Sequence, residues 1–458
     1  LFSLTKHGRP HDLQESSGGL VLFLAISKKG PLLTQDPKRV LHDHFGHENF
    51  RPLQEDIIHH LLHVGDAMVL MPTGGGKSLC YQVPALCTEG LTLVVSPLIS
   101  LMVNQVESLK AKGIAAAYLN SNLNLEEKRK LAAQIQNREI DILYTSPEAL
   151  ASEKLIHFLN KVGVTLLAID EAHCVSQWGH EFRKDYRNLG QVKKSLHDPK
   201  CIALTATADP LVLQDILKEL EISKDHVFCS GFDRPNLTYR VQKRQGDGDE
   251  QLKAFLKDKT EQTGIIYCST RKKTEQYVDS LRDWGLHCYP YHAGMSDEER
   301  SYVQERFEND PSVIVVATVA FGMGIDRADV RFVIHMNLSK CIEAYYQETG
   351  RAGRDNLPSD TLMLYGAQEF ELYRRFIRES EADDQYKKVA TRKLFSMQKF
   401  ADSTKCRRRT LRKYFGEKVE HNCGSCDNCL DTSAFHDWGQ EAKLLLETIK
   451  ATGQRFGK

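Results

Sequence analysis

The sequence predicts an α/β fold with two parallel-sheet lobes in tandem, followed by a small helical module that carries grouped cysteines. Short apolar runs alternate with helical stretches, and most runs end in a polar cluster, which is typical of buried parallel strands with crossover helices. This pattern occurs once before and once after the segment 231–236, which resembles a linker. Three cysteines within seven residues, 423–429, follow the second pattern and define the third part.

Composition limits the class of protein. The chain has 458 residues, of which 41% are apolar, enough for roughly three domains with proper cores. Lys plus Arg and Asp plus Glu both number 61, so net charge argues neither for nor against nucleic acid. Most of the 12 cysteines are scattered singly, which favours a reducing compartment. The apolar run Leu20–Ile26 is far shorter than the roughly 20 residues of a membrane span, so we expect a soluble protein with no membrane partner.

Residues 1–36 have no interpretable period, and the first lobe begins after them. The run 50–54, Phe-Arg-Pro-Leu-Gln, precedes an amphipathic helix and is similar to an adenine clamp of helicases. In that interpretation Gln54 binds the base edge, while Arg51 and His47 stack on the ring. The alternative is that Gln54 is an exposed helix residue. The histidines at 59, 60 and 63 have helical spacing, but no cluster of carboxylates or thiols accompanies them, so a solvated face is favoured over a metal site.

An apolar run at 67–71 leads into Pro72–Ser78, the stretch around which the chain is organised. Glycines let main-chain N–H groups converge on a phosphate, Lys77 supplies a mobile charge for the β- and γ-phosphates, and Ser78 is predicted to hold Mg²⁺. The alternative is a flexible glycine-rich turn. The residues assigned to nucleotide binding here are Thr73, Gly74, Gly75, Gly76, Lys77 and Ser78.

Four further strands are predicted in this lobe, at 91–95, 141–144, 166–169 and 201–204. The third ends in Asp170-Glu171-Ala172-His173. We expect Asp170 to hold Mg²⁺ through water, Glu171 to orient and deprotonate the attacking water, and His173 to link the γ-phosphate region to its neighbours. Paired acids also occur at ordinary helix starts. Their combination with Lys77 predicts a nucleoside triphosphatase.

The stretch 174–187 follows these acids and is dense in aromatic and guanidinium groups. Bases stack on such rings regardless of sequence, so Trp178, Phe182 and Arg183 are predicted DNA contacts that report to Glu171. Ser96, which follows the strand 91–95, is a further predicted contact. The alternative places Trp178 and Phe182 in the core.

The second lobe is predicted to have strands at 264–268, 313–317 and 332–335. The glycine-rich lysine loop does not recur there, but Arg351 and Arg354 can approach a γ-phosphate as arginine fingers. ATP is then expected between the lobes, with Thr318 and the glycines after it on the DNA backbone. Taken singly, both stretches are also compatible with surface turns.

Four thiolates, from Cys406, Cys423, Cys426 and Cys429, satisfy a tetrahedral Zn²⁺ without an open position. An iron–sulfur cluster takes the same number of cysteines, and a disulfide pair is the weakest option. Between 386 and 413 nearly every charge is positive, which predicts a helical face that contacts phosphates. The stretch 441–449 predicts one more helix.

From about Phe45 to Leu430 the chain resembles the RecQ family of superfamily 2 DNA helicases, most closely the bacterial type. The resemblance is carried by 50–54, 71–81, 96–101, 170–180, 205–208, 315–325 and 345–355. It implies two RecA-like lobes, at 37–231 and 232–370, a helical zinc-binding module at 371–431 and the start of an incomplete winged-helix domain at 432–458. It also implies zinc as the metal. His47 and Lys184 depart from the pattern, where a larger aromatic and a proline are usual.

The resemblance further implies ATP-driven 3′-to-5′ translocation on single-stranded DNA and unwinding of tailed duplexes, in DNA repair or recombination. The expected location is the cytoplasm of a bacterium or the nucleus of a eukaryote. The expected cofactors are ATP, Mg²⁺ and Zn²⁺. One alternative function is an ATP-switched DNA-binding or strand-annealing module without productive unwinding, and another is an RNA helicase of the same superfamily.

Overall fold

In the computed structural model, which describes residues 34–179, 181–318, 321, 327–431 and 438–453, the chain forms two parallel sheets. The first has seven strands in the order β3-β4-β2-β5-β6-β1-β7. They are β1 Ala67–Leu70, β2 Leu91–Val95, β3 Ala116–Leu119, β4 Ile142–Thr145, β5 Val164–Ile169, β6 Lys200–Thr205 and β7 Val227–Cys229. The predicted strands of this lobe are confirmed to within a few residues, whereas β3 and β7 at the two edges were not predicted.

The second sheet has six strands in the order β10-β11-β9-β12-β13-β8. They are β8 Leu237–Lys243, β9 Gly264–Tyr267, β10 Cys288–Tyr291, β11 Ile314–Ala317, β12 Phe332–His335 and β13 Ser359–Tyr365. All its pairings are parallel, so every connection crosses over one face of the sheet. The α/β class with two tandem parallel-sheet lobes is therefore confirmed.

Helices cover both sheets and form the third part of the chain. Lobe-one helices are α1 Pro37–Phe45, α2 Gln54–His63, α3 Leu79–Cys87, α4 Ile99–Ala111, α5 Leu125–Gln136, α6 Glu153–Val162, α7 Lys184–Arg187, α8 Leu189–Ser195 and α9 Pro210–Glu219. Lobe two has α10 Asp249–Leu256, α11 Arg271–Asp283, α12 Asp297–Asn309 and α13 Ile342–Thr349. The C-terminal helices are α14 Ala367–Glu379, α15 Asp384–Asp402, α16 Arg407–Tyr414, α17 Asp427–Leu430 and α18 Gly439–Ala451.

The residues at the N-terminus of α9 fix where this helix begins. Asp209 is the N-cap of α9, and its carboxylate accepts from the main-chain N–H groups of Leu211 and Val212 at 2.8 and 3.0 Å. Pro210 follows at the first helical position, where its missing N–H and fixed φ fit a helix start. The cap fixes the point at which the chain leaves β6 and turns into α9.

The central strands β1, β2, β4, β9, β11 and β12 are buried on both faces. One apolar cluster is continuous across the whole molecule, because it includes Leu167 of the first sheet, Val333 of the second and Phe400 of α15. Separate clusters fill the other face of each sheet. The helical module therefore shares one apolar core with both lobes.

The predicted helix at 441–449 is confirmed as α18, on which Leu444, Leu445 and Leu446 are exposed. The predictions for residues 1–33 and 432–437, for His180, and for the glycines at 322 and 324 lie outside the described residues. Within the described ranges, no helix combines the length and apolar character needed to cross a bilayer.

Candidate functional site

A cleft of about 990 Å³ lies between the two lobes. Its floor comes from the loop after β1 and from the acids after β5, and its opposite wall comes from the end of α13 and the loop beyond it. The predicted nucleotide and catalytic residues that line it are His47, Arg51, Gln54, Thr73, Gly74, Gly76, Lys77, Ser78, Asp170, Glu171, Arg351 and Arg354. The structure thus brings residues more than 300 positions apart in the sequence to one place.

The loop after β1 has the backbone of an anion cradle. Gly74 and Gly76 have φ angles of +78° and +80°, which favour glycine because a Cβ is strained there. The ammonium of Lys77 donates to the carbonyl oxygens of Met71 and Pro72 at 3.1 and 3.3 Å, so it caps its own loop. Burial lowers the pKa of Lys77, while the carboxylates of Glu171 and Asp170 act in the opposite direction. A phosphate in the cradle offers this cation stronger acceptors than two carbonyls.

Gln54 is 1% exposed, so the alternative of an exposed helix residue is wrong. Its amide donates to the carbonyl of Gly76 at 2.9 Å and accepts from the N–H of Arg51 at 2.8 Å. The Arg51 guanidinium donates to the carbonyl of Gly74 at 2.5 Å. Both side chains therefore hold the loop 72–78, called the phosphate loop here after its predicted role. Their predicted contact with adenine stays a prediction, as does stacking by the exposed His47.

The acids stand where β5 ends. Asp170 accepts from the N–H of Glu171 at 2.9 Å, and Glu171 has a left-handed φ of 47°. Burial, reinforced by the charge of Glu171, raises the pKa of Asp170 to about 6. Burial alone would raise the pKa of Glu171 too, but its hydrogen bond and charge interaction with His173 hold that pKa below its usual range. Two adjacent carboxyls thus differ in proton affinity, as an acid–base site requires.

His173 is fully buried and links this pair to the next strand. Its Nδ1 lies 3.0 Å from Oγ1 of Thr205, at the end of β6, and 3.3 Å from Oε2 of Glu171. Nε2 lies 3.7 Å from Oε2 of Glu181 in the aromatic stretch. Burial opposes protonation of the ring, but the surrounding acceptors outweigh it and raise the pKa of His173 well above its usual value. The side chain of His173 therefore connects Glu181 to Glu171.

The predicted arginine fingers come from the second lobe. Arg351 is 7% exposed, and Arg354 reaches the phosphate loop of the first lobe. A Cβ built on Gly74 would lie only 3.1 Å from Cγ of Arg354. The positive charge of Arg354 also contributes to the lowered pKa of Lys77. Both lobes therefore contribute cations to the same cleft.

The aromatic stretch is anchored on the first lobe. Ser176 donates to Asp215 of α9 at 2.7 Å, and Arg183 donates to the carbonyl of Pro97 at 2.9 Å. Phe182 is exposed, whereas Trp178 is half-buried and packs against the core, as the alternative interpretation expected for it. Among the described residues of this stretch, Phe182 is thus the ring most open to a base.

The two other predicted DNA contacts, Ser96 and Thr318, differ in how exposed they are. Ser96 is 1% exposed, so its hydroxyl faces the protein in this conformation. Thr318 is half-buried, and its N–H donates to the carbonyl of Tyr291 at 3.1 Å. Their contacts with DNA stay predictions.

The sulfurs of Cys406, Cys423, Cys426 and Cys429 all lie within 4.8 Å of one another. Main-chain N–H groups point at them: Cys423 donates to Sγ of Cys406 at 3.2 Å, and Arg407 to Sγ of Cys426 at 3.3 Å. Such donors stabilise thiolates, and four thiolates this close fit a tetrahedral ion with bonds of about 2.3 Å. None of these four cysteines forms a disulfide in the structure, so it does not support the disulfide alternative.

The predicted basic face at 386–413 needs correction at three of its cations, while the others are exposed or partly exposed. Lys393, Arg407 and Arg408 are at most 9% exposed and bind protein groups instead of solvent. Arg407 pairs with Asp427 at 3.0 Å, next to the cysteine cluster. Tertiary contacts explain the error, because the acids that bury these cations lie far away in the sequence.

Lys393 belongs to a junction that the sequence did not reveal. Its ammonium lies 3.1 Å from Oδ2 of Asp209 in the first lobe and pairs with Glu343 of α13 in the second. The hydroxyl of Tyr414 donates to the same Glu343 at 3.0 Å. One buried cation thereby joins both lobes and the helical module.

Three family models match consecutive parts of the chain. Residues 51–216 match the DEAD/DEAH box helicases, 248–356 the helicase conserved C-terminal domain, and 367–430 the RecQ zinc-binding domain. Together with the two lobes and the cleft between them, these matches define a two-lobed helicase.

Proteins of similar sequence narrow the class from two-lobed helicases to one family. The chain is 44% identical over 425 residues to the ATP-dependent DNA helicase RecQ of Pasteurella multocida, covering 93% of this chain and 67% of the relative. It is 42% identical over 421 residues to the RecQ helicase of Bacillus subtilis, covering 92% and 71%. The ATP-dependent DNA helicase Q1 of Pongo abelii is 40% identical, covering 87% and 62%. The chain belongs to the RecQ family of DNA helicases.

Solved structures agree with the fold. The helicase Lhr of Mycobacterium smegmatis, bound to single-stranded DNA and AMP-PNP, superposes with a TM-score of 0.56 at 19% identity and covers 75% of this chain and 49% of its own. The DUF1998 helicase MrfA, bound to DNA, gives a TM-score of 0.60 at 18% identity, with coverage of 75% and 50%.

Proposed function

We propose that the chain hydrolyses ATP in the interlobe cleft and uses the resulting movement of the lobes to translocate 3′-to-5′ on single-stranded DNA and unwind tailed duplexes, in DNA repair or recombination. The observation that carries the proposal is the approach of Arg354 of the second lobe to the phosphate loop of the first. Because the site is shared, its occupancy and the separation of the lobes are coupled.

The residues divide the work as follows. Lys77 leaves the carbonyls of its loop for the β- and γ-phosphates, and Arg351 and Arg354 neutralise charge that develops on the γ-phosphate. Glu171, with its lowered pKa, is ionised and accepts the proton of the attacking water. Mg²⁺, for which Asp170 and Ser78 are the proposed holders, supplies charge neutralisation between the phosphates.

The cysteine cluster is proposed to hold zinc in a structural role, since its four sulfurs lie within 4.8 Å of one another and four thiolates satisfy a tetrahedral zinc without an open position for chemistry. Absorption spectroscopy and metal analysis separate the two candidate metals. A colourless protein with one zinc supports the proposal, and brown absorbance of an iron–sulfur cluster would end it.

Strand displacement on 3′-tailed and 5′-tailed duplexes tests the main proposal. Only the 3′-tailed duplex should be unwound, and Lys77→Ala or Glu171→Gln should abolish turnover while DNA binding persists. An ATP-switched binding or annealing module would hydrolyse ATP without displacing either strand. Stimulation of ATP hydrolysis by RNA as strongly as by DNA would favour an RNA helicase.

A further inference from the structure

Residues 231–236, the interlobe segment, pack against the loop that carries the two proposed arginine fingers, Arg351 and Arg354. Arg234 in this segment is 7% exposed and has a guanidinium that donates to three main-chain oxygens. These oxygens belong to Gly350 at 3.1 Å, Ala352 at 2.7 Å and Gly353 at 3.1 Å. Asn236 adds a bond from Nδ2 to the same Gly353 oxygen at 2.9 Å and another to Leu357 at 3.0 Å.

The accepting carbonyls are next to the two arginines in the chain. Residues 350 and 352 flank Arg351, and residue 353 directly precedes Arg354. A planar guanidinium carries several fixed donors and can satisfy all three oxygens at once, whereas a lysine ammonium is a point charge on a flexible stem. Losing the fork would strand buried carbonyls beside the residues that must be held most accurately.

Arg234 is itself held from the helical module. The ring of Phe232 stacks on Phe415 with centroids 4.4 Å apart and planes 13° apart. The hydroxyl of Tyr346 donates to the carbonyl of Phe232 at 3.1 Å. Asp233 accepts from Arg412 of α16 at 2.9 Å. The residues directly before Arg234 are therefore fixed to the module and to α13.

We propose that Arg234, assisted by Asn236, is a positioning residue for ATP hydrolysis. It acts through Arg351 and Arg354 by holding the main chain around them, and it is not among the described residues that line the cleft. This inference rests on the proposed function, in which those two arginines complete the ATP site.

Steady-state kinetics of Arg234→Lys test the inference. A finger displaced by about 1 Å costs on the order of 100-fold in kcat, while KM for ATP and the affinity for ADP change less than about threefold because the first lobe holds the nucleotide. Arg244→Lys is the matched control, since Arg244 is an arginine of the same lobe that donates to the carbonyl of Met336 at 2.6 Å and pairs with Glu369, away from the fingers. It should retain kcat.

A double-mutant cycle separates positioning from general destabilisation. Adding Arg234→Lys to an Arg351→Ala/Arg354→Ala variant should cause no further loss of kcat, because the groups it positions are gone. Losses that multiply, or an Arg234→Lys variant with the parental kcat, overturn the inference. If Arg234→Lys does not fold, Asn236→Asp decides: a carboxylate facing two carbonyl oxygens should lower kcat about tenfold, and an unchanged kcat refutes the proposal.

The same experiment distinguishes the two proposals. If the Arg351→Ala/Arg354→Ala variant turns over ATP at the parental rate, the proposed function of the fingers fails, and this inference fails with it. If that variant has a reduced kcat and Arg234→Lys is not impaired, only the positioning role of Arg234 is wrong.

Discussion

Replacing Lys393 with methionine should destabilise the protein strongly, because the substitution leaves two buried carboxylates without their cation. Asp209 and Glu343 are 7% and 1% exposed, and Lys393 is 6% exposed. Two unit charges 3.1 Å apart attract by about 5 kcal/mol at an effective dielectric constant of about 20. Breaking a buried pair by removing one partner typically costs about 3–5 kcal/mol. We expect a loss in that range for Lys393→Met.

Equilibrium urea unfolding at pH 7, followed by circular dichroism, measures this loss. Lys38→Met is the matched control, because Lys38 makes an ion pair of 2.9 Å with Glu55 in which both side chains are more than half exposed. Surface pairs contribute little, so this control should unfold like the parent.

Rescue provides the sharper criterion. Adding Glu343→Gln and Asp209→Asn to Lys393→Met removes the stranded charges, and asparagine retains the side-chain oxygen that caps α9. The triple variant should recover a large part of the lost stability. A Lys393→Met variant that unfolds like the Lys38→Met control, or a triple variant less stable than the single one, would refute the argument that a buried cation joins the two lobes and the module.

Three further predictions concern the site and the module. Asp170 has a pKa of about 6, above that of the unfolded chain, so the folded state binds the extra proton and loses stability as pH rises from about 4 to 6. Asp170→Asn should therefore raise Tm at pH 7 without divalent cations, with a gain that vanishes near pH 4 in a thermal-shift series; an equal gain at both pH values would contradict this. Phe182→Ala should weaken single-stranded DNA binding by about 1–3 kcal/mol in fluorescence anisotropy while ATP turnover without DNA is retained; unchanged affinity would exclude the ring as a base contact. Chelating the proposed zinc under reducing conditions should increase hydrogen exchange at the N–H of Val241, because its acceptor Asp427 follows the ligand Cys426 directly; unaltered exchange would show that this contact does not depend on the metal.

The motifs were predictable because each is local. The loop 72–78 follows a short apolar strand, the acids 170–171 end another, and the cysteines at 423, 426 and 429 lie within seven residues. Strand and helix periods repeat over a few positions, so the α/β class and most central strands could be predicted. Edge strands such as β3 and β7 were missed, because they are short and partly exposed and carry a weak apolar signal.

Side-chain partners were decided only by the tertiary structure. The sequence predicted a base contact for Gln54, and gave no sign that its amide is bonded to the carbonyl of Gly76. It marked Lys393 and Arg407 for phosphates, whereas both are buried in ion pairs. The hydrogen bonds from Arg234 to the loop that carries Arg351 and Arg354 had no sequence signal, because their acceptors are main-chain carbonyls more than 100 residues away.

The physical reason is the range of the interactions. Glycine conformation, helix capping and strand burial depend on neighbours in the chain, so the sequence by itself determined the two lobes, the glycine-rich loop 72–78, the paired acids at 170–171 and the grouped cysteines. Whether a charge is solvated, paired or bound to a carbonyl depends on which distant elements pack against it. The tertiary structure alone therefore decided how the lobes share one cleft, and which buried cations hold the lobes and the module together.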